Sequence, residues 1–505
     1  MDILQNAPAN EQTFTQFLFY NRRNRIIMYL AATAIIIQFA VFKYFYPFAN
    51  YIHDDSLFYL NAAGENLNIN TYPIGYSKFL RLVSVFAKPD WMLTGLQYLL
   101  IQCSSLFLLF TIFYFYKTGR LTQTILLCFT VINPLYLHLA NMVSSDGLFL
   151  ALSTTWFALL VWIIYKPSGK IIGWHAFVLF AAFTVRYNAL VYPFISILAF
   201  AWSNLPLRKK LAGLGLCLLL CGWFVALTMF QYKKLTGYWQ YSPFSGWQLA
   251  GNAINPYLEV DSANRKLIPA KFRALDKMIR NFDRLRPEVK SYWNATGYMW
   301  LPDFPLMQYR DSLFKKDTSS IRFKKWASMG PLYSSYGWYI IKNYPGHFLR
   351  YYILPNSLKY FAPPLEFLGS YNLGEQTVNK LAVKWFGYIN NHVKTRTKSD
   401  NVLILQFYPS LACIIHLMLL LMLLSYLLLK GWQYNPSFNK GILLAVFLWI
   451  ANTGFTIFAA PVALRFQAFP VMLNVTFSLL LMEWMVRLIQ HLKRQSQQQP
   501  DPLAI

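Results

Sequence analysis

Tyr51-Ile52-His53-Asp54-Asp55-Ser56-Leu57-Phe58-Tyr59 places two adjacent carboxylates and an imidazole just after the first long apolar run of this chain. Acidic residues are scarce, because the 505 residues include 20 Asp and Glu against 46 Lys and Arg. Carboxylates at the edge of a membrane are costly to keep dry, so their default interpretation is functional. The alternative is a pair of solvated loop acids, or a helix cap in which an Asp side chain accepts from the first free amides.

The composition is that of a membrane protein: 56% of residues are hydrophobic, 18% are aromatic and only 13% are charged. Soluble globular domains carry about twice that share of charged residues. The five cysteines fall in apolar runs, and we expect them to pack as small hydrophobic side chains. The formal charge of +26 favours anionic partners, which for a membrane protein are lipid phosphates. Nucleic acid is disfavoured because no nucleic-acid-binding motif accompanies the charge.

Apolar runs and their basic flanks predict an all-α polytopic membrane protein with about ten transmembrane helices and both termini in the cytoplasm. Long domains cross the membrane largely regardless of their charge, so a basic segment without apolar runs can be extracytoplasmic. The predicted divisions are a cytoplasmic tail (1–25), a transmembrane module (26–230) with its first extracytoplasmic loop (47–90), an extracytoplasmic membrane-associated domain of mixed secondary structure (231–400), C-terminal transmembrane helices (401–490) and a cytoplasmic tail (491–505).

Two stretches depart from the pattern of long apolar helices. Polar residues at helical spacing between Ser77 and Lys88 predict an amphipathic helix that lies in the membrane interface. The apolar run 171–202 is interrupted at Arg186, which predicts two short helices with this arginine in an outward-facing turn.

This topology brings Asp54 with Asp55, Asp146, Arg186 and Arg465 to the same outer face. An arginine can bind a phosphate through two parallel hydrogen bonds, and a carboxylate can take the proton from an attacking hydroxyl. Together they suit a reaction on a lipid-linked phosphate. The alternatives are a helix-capping role for Asp146 and contact of the arginines with lipid head groups.

His53 stands beside two carboxylates, which raises the question of a metal. Near-consecutive residues rarely supply a full set of ligands, and no second cluster of His or Glu completes one. We therefore expect no metal and no other cofactor, and we place His53 with the residues that contact the substrate or its phosphate.

Several motifs together resemble the GT-C superfamily. They are the paired acids of the first loop, Tyr72-Pro73-Ile74-Gly75-Tyr76, Asn133-Pro134 with Ser145-Asp146, and Arg465-Phe466-Gln467-Ala468-Phe469-Pro470. Members of this superfamily are integral membrane glycosyltransferases that use polyprenyl-phosphate sugars, and the chain is similar to protein O-mannosyltransferases and the lipid A aminoarabinose transferase. The resemblance covers about residues 20–230 and, loosely, the last two helices.

The resemblance implies an inverting transfer in which an acceptor hydroxyl attacks the anomeric carbon and polyprenyl phosphate leaves. It places this reaction on the extracytoplasmic face of the plasma (inner) membrane. By the same resemblance Asp54 is the general base, Asp55 is its acidic neighbour at the acceptor, and Asp146 supports them. Arg186 and Arg465 bind or neutralise the lipid phosphate.

The expected partners are a polyprenyl-phosphate sugar donor, membrane lipids, and an acceptor that is a lipid, a glycan or a protein. One alternative is a flippase or transporter for lipid-linked glycans. The predicted membrane interior contains almost no carboxylates, which disfavours ion-coupled transport. The other alternative is an O-antigen-type polymerase or ligase, in which arginines dominate and the first-loop acids are dispensable.

Overall fold

The computed structural model describes residues 12–286 and 297–498, and within them the chain is built of helices. The expected terminal tails and the expected domain 231–400 fall partly outside these residues. The first part of the chain contains α1 (Phe14–Phe19), α2 (Arg22–Phe45), α3 (His53–Gly64), α4 (Gly75–Phe86), α5 (Asp90–Phe115), α6 (Arg120–Val131), α7 (Pro134–Asn141), α8 (Ser145–Tyr165), α9 (Gly169–Val185), α10 (Tyr192–Trp202) and α11 (Leu207–Thr236).

The remaining helices form a segment without a candidate membrane span, here called the extramembrane segment, and a C-terminal group. The segment contains α12 (Pro243–Leu258), α13 (Arg273–Leu285), α14 (Gly297–Trp300), α15 (Pro305–Leu313), α16 (Arg322–Ser328), α17 (Gly330–Asn343), α18 (Pro345–Phe348), α19 (Leu354–Phe361) and α20 (Lys380–Phe386). The C-terminal group contains α21 (Tyr408–Leu428), α22 (Pro436–Ala459) and α23 (Ala468–Gln498).

The mixed secondary structure expected for residues 231–400 is wrong for the described part of that domain. The described residues contain isolated β-bridges but no β-strand. Several prolines of this segment stand in the first turns of helices, as at Pro243, Pro305 and Pro331. Proline is tolerated there because the first amides of a helix have no partner within it.

Eight apolar segments among the described residues are long enough to cross a membrane, so the chain is a helical polytopic membrane protein. They are α2, α5, the α6–α7 pair (Arg120–Asn141), α8, α11, α21 with the turn before it (Leu403–Leu428), α22 and the apolar part of α23 (Ala468–Gln495). The shorter apolar helices α9 and α10 occupy the positions of the two short helices predicted around Arg186. The predicted interruption is confirmed, because α9 ends at Val185 and the backbone of Arg186 is extended.

The amphipathic helix predicted in the first loop is α4. One side of this helix is buried through Tyr76, Leu80 and Val83, while Val85 and Phe86 are exposed. An apolar edge on a short helix beside the bundle suits a position in the head-group region of a membrane.

Hydrogen bonds between the connections that join the helices identify the two ends of the bundle. At one end, the Asn50 amide donates to the Asn141 carbonyl oxygen at 2.8 Å, and the Asn372 amide donates to Asn50 Oδ1 at 2.8 Å. At the other end, Lys440 Nζ donates to the Trp202 carbonyl oxygen at 3.1 Å. We call the end that contains Asn50 the site end. The extramembrane segment packs on it, since residues such as Asn372 contact the first loop there.

The helices α5, α8 and α23 form the centre of the bundle, because most of their residues are buried. The helices α2 and α11 lie at its periphery and expose most of their apolar side chains. Since α8 begins with Ser145 and Asp146, this arrangement places a carboxylate at the middle of the site end.

Candidate functional site

Asp146 is buried at the start of α8, with its side chain only 1% exposed. The cap of this helix is Ser144, whose Oγ accepts from the Asp146 amide at 3.4 Å. The same hydroxyl donates to Asp146 Oδ2 at 2.8 Å. Because Ser144 fills the capping position, the carboxylate of Asp146 is directed to other partners.

Arg465 lies in the short turn Leu464–Phe466 and contacts carboxylates from three distant segments. Its Nε is 3.1 Å from Glu366 Oε2, its Nη1 is 3.3 Å from Asp146 Oδ2, and its Nη2 is 3.7 Å from Asp55 Oδ2. Burial acts to lower the pKa of Arg465, but these carboxylates outweigh burial and raise that pKa above its ordinary value. The guanidinium therefore stays charged inside the cluster.

Arg186 completes the pairing of Asp146 from the opposite side. Its Nη1 contacts Asp146 Oδ1 and donates to Ser145 Oγ at 3.3 Å. The ring of Phe466 lies against both arginines, 4.7 Å from the guanidinium of Arg186 and 4.4 Å from that of Arg465. The aromatic face offsets part of the repulsion between two neighbouring cations. Both arginine side chains point into the cluster rather than away from it, since they are 16% and 10% exposed.

Asp55 is partly accessible to solvent, unlike Asp146. Its side chain is 23% exposed, and the Tyr72 hydroxyl donates to its Oδ1 at 2.7 Å. Burial raises the pKa of Asp55 above the ordinary value of an aspartate, while Arg465 and the Tyr72 hydrogen bond act to lower it. A partly accessible carboxylate with a raised pKa is suited to accept a proton.

The structure separates the two adjacent acids of the first loop. Asp54 and His53 are exposed in the first turn of α3, and neither side chain makes a hydrogen bond or ion pair with the rest of residues 12–286 and 297–498. Successive side chains on a helix point about 100° apart, so only one of the two acids can face the cluster. Neither acid caps α3, which has no side-chain capping hydrogen bond.

An aromatic wall stands beside Asp55. The Tyr72 ring lies 5.5 Å from the ring of Phe244, which is 6.2 Å from that of Trp300. Phe58 closes the group, 6.3 Å from Tyr72 and 6.0 Å from Trp300. These rings come from the first loop and from two helices of the extramembrane segment. They make one side of the site apolar.

The sequence-predicted residues Asp55, Asp146, Arg186 and Arg465 therefore come together, whereas Asp54 and His53 lie outside their contacts. Glu366 was not predicted, because it belongs to a segment without a recognised motif. The one sequence feature that could have pointed to Glu366 is that acidic residues are scarce in this chain.

Among the described residues no group of three or more His, Cys, Asp or Glu side chains is arranged to hold a metal ion. The cluster instead combines two arginines with carboxylates of different exposure, which equips it to bind an anion and to move a proton. These residues have to carry the functional assignment, because the chain matches no protein family, no curated protein and no solved structure with which it was compared.

Proposed function

We propose that the protein is a membrane glycosyltransferase of the GT-C type, which transfers a sugar from a polyprenyl-phosphate donor to a hydroxyl of a lipid, glycan or protein. The observation that carries this proposal is the arrangement around Arg465. It joins the accessible Asp55 to the buried Asp146 at one end of an apolar helical bundle. In the proposed topology this end is extracytoplasmic and the membrane is the plasma (inner) membrane.

Asp55 is the general base in this proposal. The acceptor oxygen bonds to the anomeric carbon of the donor sugar as its proton passes to Asp55, which inverts the configuration of that carbon. The bond between this carbon and the donor phosphate oxygen breaks, and polyprenyl phosphate leaves with the electron pair. The leaving group is already a phosphate, so the protein needs one base, positive charge and an oriented, dry pocket.

The other residues hold these groups in place. Asp146 contacts both arginines and fixes their separation, and the Tyr72 hydroxyl orients the carboxylate of Asp55. Arg186 and Arg465 neutralise the charge that develops on the departing phosphate.

The bundle around the site suits a lipid-linked donor. The peripheral helices α2 and α11 expose apolar side chains along most of their length. A polyprenyl chain can lie against such helices while its phosphate reaches the site end. A water-soluble sugar nucleotide has no lipid chain that could bind this apolar surface.

The test is release of polyprenyl phosphate by the purified protein in lipid nanodiscs, supplied with lipid-linked sugars and membrane acceptors. Asp55→Asn preserves the size of the side chain and removes the base, so we expect release to fall roughly 100-fold or more while the donor still binds. Asp54→Asn is the matched control, because it makes the same change one residue away, and we expect it to retain most of the activity.

Three results would contradict the proposal in different ways. Equal release of polyprenyl phosphate by wild type and Asp55→Asn would show that Asp55 is not the base, and would favour an O-antigen-type polymerase or ligase. Loss of polyprenyl phosphate release in Asp54→Asn but not in Asp55→Asn would show that Asp54 is the base. Movement of lipid-linked sugar across the membrane without cleavage of the phosphate bond would favour a flippase.

A further inference from the structure

We propose that the carboxylate of Glu366 occupies an anion-binding subsite on Arg465 and that a phosphate group displaces it when a ligand binds. The identification of this phosphate as the head of a polyprenyl donor rests on the proposed function. The subsite itself rests on the contacts of Glu366 and Arg465.

Every guanidinium nitrogen of Arg465 already contacts a carboxylate. Its three guanidinium nitrogens contact Glu366, Asp146 and Asp55, one carboxylate for each nitrogen. Nε has a single N–H, so a phosphate can bind Nε of this arginine only if Glu366 leaves. An exchange of one anion for another keeps the buried guanidinium paired, which avoids the cost of an isolated buried charge.

Glu366 is the carboxylate that can leave most easily. The side chain of Asp146 is 1% exposed and is also held by Arg186. Asp55 is 23% exposed and is also held by a hydrogen bond from the Tyr72 hydroxyl. Glu366 is 33% exposed, and among the described residues Arg465 is the only side chain that donates a hydrogen bond to its carboxylate.

The backbone around Glu366 is also suited to rearrange. Its φ angle is +50°, and those of Asn372 and Leu373 are +44° and +58°. Non-glycine residues adopt this left-handed region infrequently, and surrounding contacts must hold them in it. Release of Glu366 from Arg465 removes one of these contacts.

A second cation is close enough to the same carboxylate to feel its charge. Lys359 lies on α19 and is half-buried. Burial lowers the pKa of Lys359 to about 8, and the nearby charge of Glu366 acts in the opposite direction. A phosphate that replaced Glu366 would therefore lie near both Lys359 and Arg465, and either one can bind a phosphate oxygen.

The experiment measures binding of sugar-free polyprenyl phosphate to the full-length protein in phosphatidylcholine nanodiscs. Inorganic phosphate is titrated in parallel. If about one molecule in ten has Glu366 displaced at rest, Glu366→Ala should tighten lipid binding roughly tenfold. Glu366→Gln keeps the shape of the side chain and should change affinity in the same direction, with unfolding temperatures recorded for both variants.

Glu375→Ala is the matched control, because it removes the same charge from the same segment at an exposed position. We expect it to leave affinity unchanged. Tighter binding of polyprenyl phosphate in both Glu366 variants supports the inference. A parallel gain for inorganic phosphate shows that the head group suffices, and a gain for the lipid alone shows that the subsite requires a lipid-linked phosphate.

Unchanged or weaker lipid binding in folded Glu366 variants overturns the inference, because it makes Glu366 a support for Arg465 rather than a competitor of the phosphate. The measurement does not depend on sugar transfer. Tighter lipid binding by the Glu366 variants without any sugar transfer by the protein would support the subsite and contradict the proposed glycosyltransferase activity. Sugar transfer without tighter binding would support the activity and contradict the subsite.

Discussion

Arg465 Nη1 lies 3.3 Å from Asp146 Oδ2, although 319 positions separate the two residues in the sequence. The pair joins the turn before the last helix to the start of the most buried helix of the bundle. Since Arg186 contacts the other oxygen of the same carboxylate, Asp146 is the common counter-ion of both arginines.

Replacement of Asp146 tests this role. In Asp146→Asn the two arginines lose their common counter-ion, and we expect a destabilisation of about 3 kcal/mol, seen as a lower unfolding temperature in nanodiscs. Ser144→Ala is the comparison, because it keeps the counter-ion and removes only the hydroxyl that caps α8 and donates to Asp146 Oδ2, at a cost of about 1 kcal/mol. An unfolding temperature for Asp146→Asn equal to that of wild type would show that the arginines do not depend on this carboxylate.

The pH dependence of kcat/KM tests Asp55 as the base. The base must be ionised, so kcat/KM should rise as pH increases through the raised pKa of Asp55, which lies above the ordinary value of about 3.9. Tyr72→Phe removes a hydrogen bond that lowers this pKa, so the acidic limb of the profile should move to higher pH. Identical acidic limbs for wild type and Tyr72→Phe would argue against Asp55.

Phe466 can be tested by changing only the aromatic character of the side chain. Phe466→Leu removes the ring that contacts both Arg186 and Arg465, at a cost of about 0.5–1 kcal/mol for each contact. We expect polyprenyl phosphate to bind roughly fivefold more weakly. Phe466→Tyr keeps the ring and should bind as wild type does. Equal losses in both variants would mean that the ring serves only to fill space.

The packing of α12 against α17 in the extramembrane segment gives a prediction about stability. A Cβ atom at Gly246 would lie 2.0 Å from the backbone oxygen of Gly330, which cannot move as a side chain can. Gly246→Ala should therefore lower the unfolding temperature, with a cost of about 2–3 kcal/mol. Gly346→Ala, in the same segment, meets no atom within 4 Å and should be tolerated. Equal unfolding temperatures for the two variants would contradict the close approach of these helices.

Much of the fold could be predicted from the pattern of apolar and polar residues within short segments. The apolar runs, the helix break at Arg186 and the amphipathic α4 follow from composition and spacing within about 20 residues, since a helix meets its backbone hydrogen bonds within its own segment. The scarcity of acids also drew attention to Asp55 and Asp146. The predicted mixed structure of residues 231–400 was wrong in the described part, where helices begin even at prolines such as Pro243 and Pro305.

Local composition was enough to predict a helical membrane protein and a short set of candidate charges, because the cost of placing polar groups near lipid depends on local composition. The three-dimensional contacts were needed to show that Asp55, and not Asp54, contacts Arg465, and that Glu366 joins them. These contacts depend on the rotation of α3 and on the fold of a segment about 300 residues further along the chain. Spacing within one segment does not encode which side chains of distant segments meet.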